Sequence, residues 1–325
     1  MKEYLPSGRV SEREQSSKEL PHLSPSSVIE DFHVSTLGSR DQREFPPYFV
    51  CGPTASGKTA YAIAYALQNN GEIVNGDAFQ LYRGLEVLSA APSAEEQLQV
   101  PHHLYGVLSP SQRNDAQAYV DMALPVIREI QARGKTPVVT GGSGLYLKFL
   151  THGASPLPTG DADLRAELDA RSLDDLVAQL EALDPLEASR TALKNRRYVS
   201  RALEICLLTG EKASTLRDDW QSASVERESQ LAGCFLQRTR PDLQARIAMR
   251  SRIMLDSGAI EEVAALPEDS PTCGKAIGVK EIRALLAGEI NRATCEELLS
   301  ISTRQYAKRQ ETWFKREKWL KIVHI

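Results

Sequence analysis

Gly52-Pro53-Thr54-Ala55-Ser56-Gly57-Lys58-Thr59 fits the pattern G-x-x-x-x-G-K-[ST] at every position. Its flanks are the ones this pattern needs. Upstream, Pro47-Tyr48-Phe49-Val50-Cys51 is a short apolar run that reads as a buried strand. Downstream, Thr59 to Leu67 is apolar and rich in alanine, which reads as a buried helix. A glycine-bearing loop between strand and helix turns backbone N–H groups toward phosphate oxygens, and the helix adds its positive end. Lys58 supplies charge for the terminal phosphate, and the Thr59 hydroxyl is suited to hold Mg²⁺, the expected cofactor. The pattern specifies a diphosphate or triphosphate. It does not specify a reaction, because kinases, GTPases, ATPases and some transferases share it.

Outward from the loop, Glu72-Ile73-Val74-Asn75 reads as the next strand, Asp115 to Gln131 as a helix and Pro137-Val138-Val139-Thr140 as a further buried strand. This alternation predicts an α/β fold: a P-loop NTPase-like parallel sheet flanked by helices. After Gly144 the strand signals nearly stop. Pro156, Pro158 and Gly160 mark a break. Leu164 to Leu183, Tyr198 to Leu208, Leu243 to Leu266 and Lys280 to Leu286 read as helices, and about Thr294 through Trp319 as one long helix that turns basic after Thr303. The expected division is an N-terminal arm over 1–44, a catalytic core over 45–155 and 225–325, and an inserted helical lobe over 156–224. The arm is polar, carries Ser-Pro and Pro-Ser steps and has no sustained period, so disorder is expected there. It lacks the apolar core of a signal peptide.

The chain has 325 residues, a quarter of them charged, and a net charge of -4. No run of eighteen apolar residues predicts a membrane span. A mildly acidic total argues against a nucleic-acid binder in general, but a local basic stripe is enough to meet phosphates. Cys51, Cys206, Cys234, Cys273 and Cys295 are scattered singly, and the six histidines complete no zinc spacing. Reduced thiols of a cytoplasmic protein are the expectation.

Asp77 ends the second strand. A carboxylate at the carboxyl end of a parallel strand, beside a phosphate loop, lies in the usual ligand crevice. The residues alone leave three roles open for it: catalytic base, Mg²⁺ ligand or structural group. Two stretches are locally basic, Asn195 through Arg201 and Arg304 through Trp319. The second interleaves Tyr306, Trp313, Phe314 and Trp319 with Arg304, Lys308, Arg309, Lys315, Arg316 and Lys318, as a surface for single-stranded nucleic acid would. The same stretch also reads as an amphipathic helix with aromatics on its core side, since Tyr306 and Trp313 share a face. Arg246 and Arg250, at helical spacing, read from the residues alone as a solvated face.

In order along the chain come Gly52–Thr59, Asp77-x-x-Gln80-x-Tyr82-Arg83-Gly84, Val100-Pro101-His102-His103-Leu104 and Gly141-Gly142-Ser143-Gly144-Leu145-Tyr146. Arg201-Ala202-Leu203-Glu204, Ala276-Ile277-Gly278-Val279-Lys280-Glu281 and Thr303-Arg304-Gln305-Tyr306-Ala307-Lys308-Arg309-Gln310 follow. Together they resemble the tRNA dimethylallyltransferase (tRNA isopentenyltransferase) family. The resemblance implies transfer of a dimethylallyl group from dimethylallyl diphosphate to N6 of the adenine 3′ of the anticodon, position 37, in tRNAs reading codons that begin with U. It implies that Gly52, Pro53, Thr54, Ala55, Ser56, Gly57, Lys58 and Thr59 cradle the donor's diphosphate, that Arg250 clamps it, and that Asp77 is the general base. Ser143 would contact the bridging oxygen and the adenine. The tRNA surface it implies comprises Asp77, Ala78, Phe79, Gln80, Ser143, Arg165, Arg197, Tyr198, Val199, Ser200, Arg201, Lys275, Ala276, Ile277, Gly278, Val279 and Lys280, with the helical lobe contributing. A monomer is expected. The chain departs from the family pattern at Ala78, where a serine is usual, at Ala91, at Tyr198, at Gly106, and at Ser143, which keeps the hydroxyl of a threonine. Prenylation of free AMP is a neighbouring activity, and phosphoryl transfer by a small-molecule P-loop kinase, which shares the phosphate loop, is the main rival. A non-catalytic P-loop RNA-binding protein is a third alternative.

Overall fold

Strand β1 (Tyr48–Cys51) is four residues long and buried from Phe49 onward. A strand so short and apolar needs partners on both edges and cover on both faces. In the computed structural model it pairs in parallel with β4 (Thr136–Gly141) on one edge and β5 (Ala232–Gln237) on the other. The structure describes residues 45–153 and 161–325; the arm over 1–44 and the break at Pro156, Pro158 and Gly160 lie outside them. With β2 (Gly71–Asn75), β3 (His102–His103) and β6 (Lys321–His324), the six-stranded sheet runs in the order β3-β2-β4-β1-β5-β6, every pair parallel.

Successive strand residues point to opposite faces, and both faces here are apolar. Val50, Ile73, Val138, Cys234 and Leu236 face Tyr61, Ala62, Ile63 and Ala66 of α1 (Lys58–Gln68). Phe49, Cys51, Val74, Val139 and Phe235 face the opposite way, toward Ile127 and Ile130 of α4 (Ala116–Ala132) and Leu147 of α5 (Gly144–His152). From β1 the chain passes through α1 to β2, leaving one place that β4 later fills, whereas β5 and β6 add on the other side. The carboxyl end of β1 therefore lies where the connections diverge, which opens a crevice there.

Between α5 and β5 lie α6 (Ala162–Asp169), α7 (Leu173–Leu183), α8 (Pro185–Arg190), α9 (Arg196–Thr209) and α10 (Ala213–Glu228). Leu168, Leu176, Leu180, Ala188, Val199, Ala202 and Leu203 form a core of their own, distinct from the sheet's. The single helix expected over Leu164–Leu183 is two, because Ser172 caps α7 by accepting from Asp175 N–H. The helix expected over Leu243–Leu266 splits into α11 (Arg240–Asp256) and α12 (Ala259–Ala265) at Gly258, whose φ of 113° a side-chain-bearing residue resists.

The C-terminal third differs most from expectation. Two strands, β5 and β6, follow Gly144, where the strand signals nearly stop. After α2 (Glu86–Ser89), α3 (Ala94–Gln99) and α13 (Val279–Leu286), the last helix, α14, spans Arg292–Phe314 and stops short of Trp319. Trp319 instead packs edge-on against Phe49 with ring centroids 5.4 Å apart, and Leu320 is buried beside it. Burial of these side chains against the sheet draws the chain back to pair with β5. No helix among the described residues is long and apolar enough to cross a membrane.

Candidate active site

The phosphate loop turns through two left-handed residues, Ala55 at φ 63° and Gly57 at φ 93°. The first costs about 1 kcal/mol for a residue with a Cβ, and a cation holds it: Arg246 Nε donates to Ala55 O at 2.9 Å. Arg238, at the end of β5, donates to Ser56 O at 3.0 Å and is itself paired with Asp242 at 2.8 Å. Arg246 is thus a support of the loop, in contrast to a merely solvated face. Within the loop, Lys58 Nζ donates to Pro53 O at 2.9 Å. The first amides of α1 have no intrahelical partner, so they remain donors at the mouth of the loop.

Three charged groups from three elements share this space. Burial pulls the Lys58 pKa down to about 8; the nearby Asp77 carboxylate opposes that shift, and the Arg250 guanidinium adds to it. Burial likewise lowers Arg250, on α11, to about 10, again with Asp77 opposing and Arg246 adding. Arg250 makes no hydrogen bond or ion pair among the described residues. Two partly desolvated cations facing one carboxylate leave surplus positive charge, which favours an anion. Arginine's planar fork suits phosphate oxygens in particular.

Asp77 is fixed by its own segment. Its N–H donates to Asn75 Oδ1 at 2.8 Å, and its Oδ1 accepts from Phe79 N–H at 3.1 Å. Buried Asn75 also donates to Leu104 O at 2.9 Å, and Tyr119 donates to Asn75 O at 2.8 Å. Ser143 precedes α5, and its Oγ accepts from Ala78 N–H at 2.9 Å, so the hydroxyl sits against the Asp77 segment. Burial first, and the Asp77 carboxylate second, push up the pKa of Tyr306 on α14. The Asp77 segment thus neighbours Lys58, Arg250 and the Ser143 hydroxyl.

Mg²⁺ takes oxygen ligands, typically one or two from the protein, with phosphates and water completing the set. The Thr59 hydroxyl makes no hydrogen bond among the described residues, and it and the Asp77 carboxylate are oxygens of the right class. A second group of metal-type ligands, His152, Glu228 and Glu317, is already served by a cation. Lys148 Nζ lies 3.1 Å from His152 Nε2, 3.1 Å from Glu317 and 3.7 Å from Glu228.

The expected tRNA-facing residues fall into different kinds. Arg165 and Arg201 converge on the buried carboxylate of Glu204, at 2.9 Å and 2.5 Å. Burial alone would raise the Glu204 pKa, but hydrogen bonds from Arg201 and Arg165 outweigh it and the net shift is downward. Arg197 and Tyr198 are exposed on α9, whereas Arg196 donates to Leu168 O and Arg171 O. Lys275 and Lys280 are exposed. Val199, Ala276 and Val279 are buried in cores, so their side chains face inward. Gln80 donates to Ser89 O and Ala90 O at 3.1 Å and 2.9 Å, which fixes the end of α2. Ala78, Phe79 and Ile277 pack partly buried on the largest core, and Gly278 has no room for a side chain because a Cβ would meet Leu88 at 2.7 Å. The Ser200 hydroxyl is buried.

Sequence reasoning did not single out Arg238 or Gln310 as parts of the site. Arg238 follows a strand that was not anticipated. Gln310 lies within a quoted block, yet nothing local shows that it reaches the phosphate loop.

A family profile described as IPP transferase matches residues 80–317. A tRNA dimethylallyltransferase of Akkermansia muciniphila is 45% identical over 274 residues, covering 84% of this chain and 91% of that protein. One from Geobacter sulfurreducens is 40% identical over 284 residues, covering 84% and 89%. Among solved structures, a tRNA isopentenylpyrophosphate transferase from Bacillus halodurans superposes with a TM-score of 0.61 at 32% identity, covering 86% of this chain and 90% of that one. A eukaryotic dimethylallyltransferase acting on tRNA gives a TM-score of 0.72 at 25% identity, covering 86% and 73%.

Proposed function

Since this chain belongs to the IPP transferase family, we propose that it transfers a dimethylallyl group from dimethylallyl diphosphate to the N6 amine of adenine 37 in tRNAs reading codons that begin with U. The observation that carries the reading is the meeting of Lys58 and Arg250 with Asp77 at the phosphate loop, beside the Ser143 hydroxyl. The loop amides, Lys58 and Arg250 take the charge of the diphosphate. Asp77 accepts a proton from the amine as nitrogen bonds to the allylic carbon and the carbon–oxygen bond to diphosphate breaks. An exocyclic amine conjugated to a purine is a weak nucleophile, so a carboxylate within hydrogen-bond reach of it is useful. Mg²⁺ held through Thr59 would neutralise charge on the departing diphosphate. The target adenine must leave its stack to reach Asp77, and exposed Arg197, Tyr198, Lys275 and Lys280 are suited to the surrounding anticodon loop. On this reading the chain acts as a monomer in the cytoplasm.

The test offers labelled dimethylallyl diphosphate to the purified chain with tRNA, with AMP and with no acceptor in parallel. Label in tRNA supports the reading. Label in AMP moves the acceptor to a free nucleotide, and ATP turnover without prenyl transfer moves the chain to the kinases.

A further inference from the structure

Transfer requires the donor's diphosphate and the acceptor's amine to be held at one separation. Yet the phosphate loop follows β1, and Ser143 follows β4. One side chain joins the two loops. Gln310, on α14, is 4% exposed. Its Oε1 accepts from Thr54 N–H at 2.8 Å, and its Nε2 donates to Gly142 O at 3.0 Å. A carboxamide presents an acceptor and a donor in one plane, and both are used here. The facing loop is built to admit it. A Cβ on Gly142 would stand 2.0 Å from Gln310 Nε2, and one on Gly144 would stand 2.4 Å from the Trp313 ring. The path Thr54–Gln310–Gly142 therefore continues through Ser143 to Ala78 N–H, next to Asp77.

We propose that Gln310 is a positioning residue that couples the phosphate loop to the Ser143 loop, so that filling the donor site sets the geometry of the acceptor side. Its catalytic consequence rests on the proposed function; its effect on loop coupling does not. The Thr54 amide is already committed to Gln310, so phosphate is left to the remaining loop amides. A diphosphate that orders the loop then acts on Gly142 through a single rigid group. Replacing that group removes the link and leaves Lys58 and Arg250 in place.

The experiment compares the full chain with Gln310→Ala and Gln310→Glu, using inorganic diphosphate as the probe and amide hydrogen exchange as the readout. In the native chain, diphosphate should slow exchange over both residues 52–59 and residues 141–147. In Gln310→Ala, it should slow exchange over residues 52–59 alone. Prenyl transfer to tRNA should fall about 100-fold in kcat, as misplacement by about 1 Å can cause, with donor affinity changed less than about threefold. Gln310→Glu adds a readout that packing would not move. Its protonated form keeps both a donor and an acceptor, whereas its carboxylate cannot donate to Gly142 O. Its activity relative to the native chain should therefore rise as pH falls, and that of Gln310→Ala should not. Retained protection over residues 141–147 in Gln310→Ala, or parallel pH profiles for the two variants, would overturn the inference. Should Gln310→Ala fail to fold, the pH profile of Gln310→Glu decides alone. A native chain that transfers nothing to tRNA sinks the proposed function, while the exchange comparison still decides the role of Gln310.

Discussion

Asp77 and Lys58 carry the chemistry at the scale of single residues, and they are separable by experiment. One Asp77 oxygen is held by Phe79 N–H, which orients the other without a charged partner in the ladder of bonds. Asp77→Asn preserves that bond and removes the proton acceptor. Turnover should fall roughly 10²–10⁴-fold, the usual contribution of a general base, while donor binding persists. A variant that turns over near the native rate would exclude Asp77 as the base. Lys58 gives a pH signature. With its pKa near 8 in the free chain, it is mostly charged at pH 7 and mostly neutral at pH 9. Donor affinity should weaken as pH rises through about 8, approaching about tenfold per unit if the charged form alone binds. Lys58→Ala should bind donor weakly with a flat response. Subtracting its profile from the native one cancels titration of the diphosphate itself, and a difference that does not change between pH 7 and 9 would remove Lys58 from the site.

At the scale of elements, α9 mixes fold and function within one turn. Arg201 holds Glu204, while Arg197 and Tyr198 face solvent. Arg197→Ala should therefore flatten the salt dependence of tRNA binding by about one unit of slope, as loss of one phosphate contact does, with no change in melting temperature. Arg201→Ala should lower the melting temperature, because it leaves a buried carboxylate with less compensation. Affinity measured at two salt concentrations beside a melting curve separates the two. Equal salt slopes in the native chain and Arg197→Ala would direct attention to the basic face of α14. On β2, Glu72 is nearly buried and gathers Lys135 at 2.8 Å, Arg133 at 2.6 Å and His103 at 2.7 Å. Burial alone would raise its pKa, but hydrogen bonds from those three groups bring it down to about 2. Its folded pKa is thus below the unfolded value of 4.5. Its contribution to stability is full above pH 4.5 and is lost as pH falls toward about 2. Glu72→Gln should lower stability at pH 7 and flatten that acid limb; an unchanged limb would contradict the assignment.

At the scale of the whole molecule, the C-terminal segment closes the sheet that presents the site. Trp319 and Leu320 cover Phe49, and β6 pairs with β5, whose end carries Arg238. Trp319→Ala should destabilise the chain by about 2–3 kcal/mol, somewhat less than for a fully buried tryptophan. A melting curve checks this, and an unchanged melting temperature would mean that the segment is dispensable to the fold. The sequence by itself determined the phosphate loop, the helix after it, the parallel character of the sheet and the position of Asp77. Each is written in local order: glycines at fixed spacing, an apolar run of strand length, a carboxylate at a strand's end. Tertiary structure alone decided which distant groups meet there. Thr54 and Gln310 are 256 residues apart, and Ala55 and Arg246 are 191 apart. Periodicity marks which face of a helix is apolar; it does not say which other face that one will meet. Short strands buried on both sides, such as β5, lack the alternation that would mark them, so their place in the sheet, and with it the place of Arg238, emerges from packing.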